Sequence, residues 1–331
     1  MTMQTFETII IGGGPAGSSC AWTLEKHGHE VALLDTAVFP RTKLCAGWVT
    51  PKVLEDLELE PESVPGLVEL TRMNLHWRNS KRYLPLPSKQ YSIRRSEFDH
   101  FLLERTQLSP IQHHARNITY DGDTYVIDDA FRCKHLVGAG GTQCPVKRAF
   151  FPLSHRKRAN VAIARELEYV PNHAIHPYCH LWWLYPNSPG YAWYVPKRDA
   201  INIGYGYFKH SGDRGMQGWT EFLDVLRAQG IIQTNPAQKP KGWSYYLFDP
   251  SIESPKHDEC YLIGDALGLA TQDLGEGIGP AVESGISCAE EILGIGTYEL
   301  DQITKESLFV GPTLSKIISP LASLATGLMA R

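Results

Sequence analysis

Two apolar runs near the start of the chain bracket a helical stretch. "TIIIG" is short and β-branched, the pattern of a strand buried on both faces of a parallel sheet. "SSCAWTLEKHGH" follows with helical spacing, and "EVALLD" closes the unit as a second buried strand ending in Asp35. Further on, "YSIRRSEFDHFLLERT" alternates and then turns helical. "TYVIDDAFRCKHLVGAGG" reads as a strand pair returning to the first sheet. Residues 151–255 differ in texture. "YCHLWWLYP", "YAWYVPKRDAINIGYGYF" and "GWSYYLF" are aromatic-rich runs that suit an antiparallel sheet with an apolar pocket. A buried strand in "CYLIGDALG" and an apolar helix in "GPAVESGISCAEEIL" then return to the first unit.

The expected architecture is α/β: a discontinuous Rossmann-like nucleotide-binding domain with an inserted antiparallel-sheet substrate domain. Residues 1–80 are expected to form its first part and 81–150 a mixed segment. Residues 151–255 form the substrate-side sheet, 256–295 the second nucleotide-binding part, and 296–331 a helical tail. The last stretch, "PTLSKIISPLASLATGLMAR", suits a helix docked on the body or lying on a membrane surface.

Gly12, Gly14 and Gly17 stand between strand and helix as G-x-G-x-x-G, with Asp35 18 residues beyond Gly17. Gly12 permits the tight turn, Gly14 lets backbone approach a pyrophosphate, and Gly17 lets the helix pack on the strand. Pro15 and Ala16 open the helix and join the expected cofactor contacts. The helix N-terminus offers free N–H groups to phosphate. Asp35 is placed to accept from adenosine ribose hydroxyls, which disfavours a 2′-phosphate. FAD and NAD both satisfy this pattern.

Composition narrows the field. A net charge of −4 over 331 residues, with no basic block longer than a triplet, gives no footprint for nucleic acid. The seven cysteines (Cys20, Cys45, Cys133, Cys144, Cys179, Cys260 and Cys288) are odd in number and form no CxxC. They read as reduced thiols, so a cytoplasmic location is expected. No secretory leader and no membrane span are expected. His173, His176 and His180 invite a metal, but Pro171 and Pro177 oppose the helix their spacing would need, so none is expected.

Four motifs between about residues 8 and 290 resemble the geranylgeranyl reductase-like group of flavoproteins, within the p-hydroxybenzoate-hydroxylase-type superfamily. They are the glycine loop with Asp35, "FPRTKLCAGW", "YAWYVPKRDAINIGYG" and "LIGDALGLATQDLGEGIGPAVESG". The resemblance implies FAD as a held cofactor. Asp265 then binds ribityl hydroxyls, and the N–H groups of Gly277 and Ile278 face the flavin pyrimidine, where a helix N-terminus stabilises negative charge. Arg41, with Lys43 beside it, is placed near the FAD phosphates, and Arg95 contacts FAD. Cys45 and Ala46 lie beside the isoalloxazine, with Cys45 the candidate catalytic thiol. Trp48, Tyr191, Trp193 and Pro196 line the substrate cavity. The sequence departs from the family in having Cys-Ala-Gly-Trp for Cys-Gly-Gly.

The implied activity is hydride delivery from reduced FAD to a C=C bond of an apolar, isoprenoid-like substrate. An aromatic hydroxylase is disfavoured by Gly140, which stands where that group carries Asp. A flavin-dependent halogenase is disfavoured by Tyr191 in place of the first Trp of its motif. An electron-transfer flavoprotein without a small-molecule substrate is the remaining alternative. No second GxGxxG loop exists to house NAD(P)H, so the electron donor is either transiently docked NAD(P)H or a reduced carrier.

Overall fold

The computed structural model describes residues 3–151, 161–185, 190–208, 215–252 and 254–307. The tail helix expected over the last twenty residues lies outside the described residues. Among those described, no helix is long and apolar enough to cross a membrane.

The chain begins with β1 (Gln4–Ile11), α1 (Pro15–Lys26), β2 (Val31–Asp35), β3 (Trp48–Val49) and α2 (Pro51–Asp56). The hairpin β4 (Val68–Trp77) and β5 (Tyr83–Ser92) leads into α3 (Arg95–Glu104). Next come β6 (Ile111–Gln112), β7 (Ile118–Tyr120), β8 (Tyr125–Ile127), β9 (Phe131–Gly138) and α4 (Pro145–Phe150). The aromatic segment supplies β10 (Val161–Tyr169), β11 (Cys179–Trp183), β12 (Gly190–Pro196), β13 (Ile201–Phe208), α5 (Gly215–Ala228) and β14 (Lys241–Tyr246). β15 (Lys256–His257), β16 (Cys260–Leu262) and α6 (Ile278–Ile292) complete the described chain.

These strands form two eight-stranded sheets. The first has order β15-β16-β9-β1-β2-β6, with the β7–β8 hairpin attached through β9. β1 lies parallel between β2 and β9, so Ile9, Ile10 and Ile11 are buried from both faces. α1 and α6 meet where Gly285 leaves no room for a side chain: an added Cβ would sit 2.3 Å from the Ala16 carbonyl oxygen. That close approach draws the start of α6 beside the glycine loop.

The second sheet has order β14-β10-β13-β12-β11-β4-β5-β3, so it takes strands from residues 48–92 as well as 161–246. It is antiparallel apart from β4 against β11. One face buries Trp182, Tyr194 and Tyr205 against Trp219 and Phe222 of α5. The opposite face carries Leu70, Met73, Leu181 and Trp193, packed with Trp48 and Leu274. This second face meets the nucleotide-binding unit.

Candidate active site

The glycine loop is built by backbone demands. Gly12 has φ +118°, and a Cβ there would lie 2.4 Å from the Ala139 carbonyl oxygen. At Gly17 the clash would be with the Gly12 oxygen at 1.9 Å. Asp35, at the end of β2, accepts from the Gly13 N–H at 2.7 Å and the Ala37 N–H at 2.8 Å. It therefore braces the loop and keeps further lone pairs for a ribose. At Gly14 an added Cβ would touch only Arg41 Nη2, at 3.5 Å. Gly14 also caps α1 without a side-chain acceptor, so the first N–H groups stay available to an anion.

Arg41 lies over this opening, its guanidinium 4.8 Å from the Phe39 ring and 3.2 Å from Asp99. Asp99 also binds Arg95, one turn earlier on α3, at 2.6 and 2.9 Å. Asp99 is fully buried and Arg95 nearly so. Burial alone would lower the Arg95 pKa, but Asp99 and the Cys45 side chain outweigh it and hold the guanidinium charged. Two guanidiniums share one carboxylate, leaving net positive charge beside the loop. That suits a diphosphate. Sequence reading missed Asp99, although its i, i+4 spacing from Arg95 on a helix was the available signal.

A second cradle lies at the start of α6. The turn Gly264–Ala266 is held by the Gly264 N–H donating to Ser284 Oγ at 2.9 Å. An added Cβ on Gly277 would meet Asp265 Oδ1 at 3.4 Å, so Asp265 lies beside the start of α6, whose Ile278 and Gly279 N–H groups are taken by Glu276 rather than left facing a flavin. Glu276 was not foreseen. It accepts from the Gly279 N–H at 2.7 Å, and burial pushes its pKa up to about 7. The glycine-opened start of α1, two arginines and the Asp35 and Asp265 carboxylates therefore suit a dinucleotide.

Between the cradles runs Cys45–Trp48. Gly47 has φ +67°, and a Cβ there would lie 2.0 Å from the Ile93 oxygen and 2.7 Å from Lys197 Nζ. Lys197 donates to the Cys45 carbonyl at 3.1 Å and to Glu168, which fixes the segment from the second sheet. The half-buried Cys45 thiol lies beside Arg95. Ala46 packs with Trp48 on the sheet face, and the Trp48 indole is buried with its Nε1 donating to Gln90 at 3.3 Å.

The wall opposite is aromatic. Tyr191 donates to the Leu274 carbonyl, tying the sheet to the loop before α6. Trp193 lies flat over β13: a Cβ on Gly204 would come within 2.4 Å of its ring. Its Nε1 donates to Asn202 Oδ1 at 2.6 Å, and Asn202 Nδ2 donates to Glu166 Oε2 at 3.1 Å. Glu166 and Asn202 are buried, and burial pushes the Glu166 pKa up to about 7. Pro196 is buried at the end of β12, where its carbonyl accepts from Ser92 Oγ at 2.5 Å. Cys45, Arg95, Tyr191, Trp193 and Leu274 thus converge where the two sheets meet.

The histidines assemble differently. His176 and His180 come within 4.9 Å through a strand rather than a helix, and His76 of β4 joins them. His76 Nδ1 must donate to the Ser80 carbonyl, so its Nε2 accepts from His180 Nδ1 at 2.8 Å. His180 Nε2 in turn accepts from Asn74 at 3.1 Å. Burial and neighbouring cations pull the His180 pKa down to about 2. The array is a neutral hydrogen-bond chain. Among the described residues no group of His, Cys, Asp and Glu is arranged to hold a metal.

The family described as FAD-dependent oxidoreductase matches residues 7–130. The chain is an FAD-dependent oxidoreductase, similar in sequence to geranylgeranyl reductases. It is 27% identical over 326 residues to the geranylgeranyl diphosphate reductase of Synechocystis, covering 88% of this chain and 76% of that protein. A digeranylgeranylglycerophospholipid reductase of Methanosphaera stadtmanae is 24% identical over 319 residues, covering 86% of this chain and 77% of its own. Among solved structures, a geranylgeranyl bacteriochlorophyll reductase-like protein from Thermoplasma acidophilum superposes with a TM-score of 0.76. At 18% identity it covers 97% of this chain and 83% of that one, and it shows the shared fold. In this oxidoreductase the glycine loop, Arg41 and Asp265 are the parts suited to holding FAD.

Proposed function

We propose that this oxidoreductase saturates a carbon–carbon double bond in an apolar, isoprenoid-like substrate. The observation that carries the reading is the apolar sheet face. Leu75, Leu181 and Trp193 lie in one row across the sheet and pack with Leu274, beside the cofactor cradle. FAD, when bound, supplies the hydride. The reductase names of the Synechocystis and Methanosphaera relatives support the same reading.

The residues divide the remaining work. Asp35, Arg41, Arg95, Asp265 and the N–H groups opening α1 bind and orient the cofactor. Tyr191 and Trp193 shield the space above Cys45 from water. Saturating a double bond requires a proton as well as a hydride, and the Cys45 thiol beside the cradle is the group that can hold one. Glu166 reaches the wall through Asn202 and Trp193, which makes it a positioning residue.

The test is anaerobic. Reduced protein mixed with an unsaturated isoprenoid should reoxidise and yield a product heavier by two hydrogens. Reoxidation that occurs only with oxygen, leaving the isoprenoid unchanged, would exclude the proposal and favour an oxygen-activating enzyme.

A further inference from the structure

From Leu70 to Ser96 the chain contains no Asp or Glu but holds seven cations: Arg72, Arg78, Lys81, Arg82, Lys89, Arg94 and Arg95. This occurs in a chain whose net charge is −4. The segment is the β4–β5 hairpin and its exit into α3. Arg78, Lys81 and Arg82 are exposed at its tip, and no ion pair engages them among the described residues. Large apolar side chains stand with them: Trp77 is 55% exposed, Leu84 58% and Tyr83 46%.

The tip is continuous with the candidate active site. Strand pairing sets Leu84 opposite Leu75, Leu75 opposite Leu181, and Leu181 opposite Trp193. This row runs from an exposed leucine to the buried indole on the cofactor side. A second row at the sheet's end sets Trp77 opposite Trp183 and Trp183 opposite Tyr191.

We propose that the tip of the β4–β5 hairpin docks this protein on an anionic lipid surface, with Trp77, Tyr83 and Leu84 entering the interface. Arg78, Lys81 and Arg82 meet the headgroups. Trp and Tyr prefer the boundary between headgroups and chains, and Lys and Arg stems lie along apolar surface while their charges reach phosphate. An acidic protein partner would use the same charges, but the pairing of interfacial Trp and Tyr with Arg and Lys stems at one tip suits the headgroup boundary of a bilayer. The docking stands on charge and exposure and goes beyond the reductase reading.

The experiment is co-sedimentation of the full-length, FAD-loaded protein with phosphatidylcholine vesicles, with and without phosphatidylglycerol. Binding is expected only to the anionic vesicles and should weaken as salt rises. The combined Arg78→Gln, Lys81→Gln, Arg82→Gln variant should bind roughly 100-fold more weakly. Trp77→Ser with Leu84→Ser should also lose most binding while retaining the flavin spectrum, since both side chains are exposed. Wild-type protein that ignores anionic vesicles, or binds an acidic protein but no vesicle, would overturn the proposal. So would variants that bind as wild type does. Turnover of a short, water-dispersed isoprenoid by the same variants tests the reductase reading separately.

Discussion

Asn202 donates to the Glu166 carboxylate at 3.1 Å across the β10–β13 pair, and both side chains are buried on the sheet face that meets the nucleotide-binding unit. Asn202 also holds the Trp193 indole at 2.6 Å, so the protonation state of Glu166 is coupled to the pocket wall.

The first prediction concerns pH. The folded-state pKa of Glu166 is raised from 4.5 to about 7. The folded protein therefore binds more protons than the unfolded chain between those values, and stability falls as pH rises through that window. Glu276, raised to about 7 by burial, adds to the same slope. Glu166→Gln should flatten the profile and gain up to about 3 kcal/mol over wild type at pH 8. Thermal unfolding of both proteins from pH 5 to 8 checks this. A parallel loss of stability with pH in the two proteins would show that Glu166 does not titrate there.

Two glycines separate cofactor binding from folding. A Cβ at Gly14 meets only the end of Arg41 at 3.5 Å, so Gly14→Ala should fold normally and bind FAD roughly tenfold or more weakly. At Gly17 the added atom would lie 1.9 Å from the Gly12 backbone oxygen. Gly17→Ala should cost about 3 kcal/mol or more of stability. Flavin titration alongside denaturant melts distinguishes them. Equal effects on both measurements would contradict the geometry.

Asp99 is the shared counter-ion of Arg41 and Arg95. Asp99→Ala leaves a buried guanidinium unpaired, which should cost about 3–5 kcal/mol. Asp99→Leu paired with Arg95→Met should recover much of that stability while leaving FAD affinity weak, because the Arg95 guanidinium is then gone and Arg41 has lost the carboxylate that positions it. Recovery of both stability and FAD affinity in the double variant would rule out Arg95 as a cofactor contact.

Cys45 is half-buried beside Arg95, with its carbonyl fixed by Lys197. Cys45→Ala should retain FAD, change stability by less than about 1.5 kcal/mol, and shift the flavin absorbance. An unaltered spectrum together with unaltered turnover would assign the thiol to packing.

The first cradle was legible because it is local. β1, the glycine loop, α1 and β2 fall within 35 residues, and buried runs, helical spacing and forced glycines record the environment of near neighbours. The aromatic segment likewise announced a sheet through its alternation. What no local pattern records is which strands become neighbours. Glu166 meets Asn202 across 36 residues, and Lys197 reaches Cys45 across 152. The parallel pairing of β4 with β11 brings His76 to His180, 104 residues away, without any helix.

The sequence by itself therefore determined the nucleotide loop, the α/β class and FAD as the cofactor. Tertiary structure decided that Asp99 joins two arginines, that Trp193 rests on Gly204, and that Glu166 stands buried behind it. The reason is physical: periodicity fixes which face of an element is apolar, while the partner of each buried polar group is chosen only when distant strands pair and water is expelled.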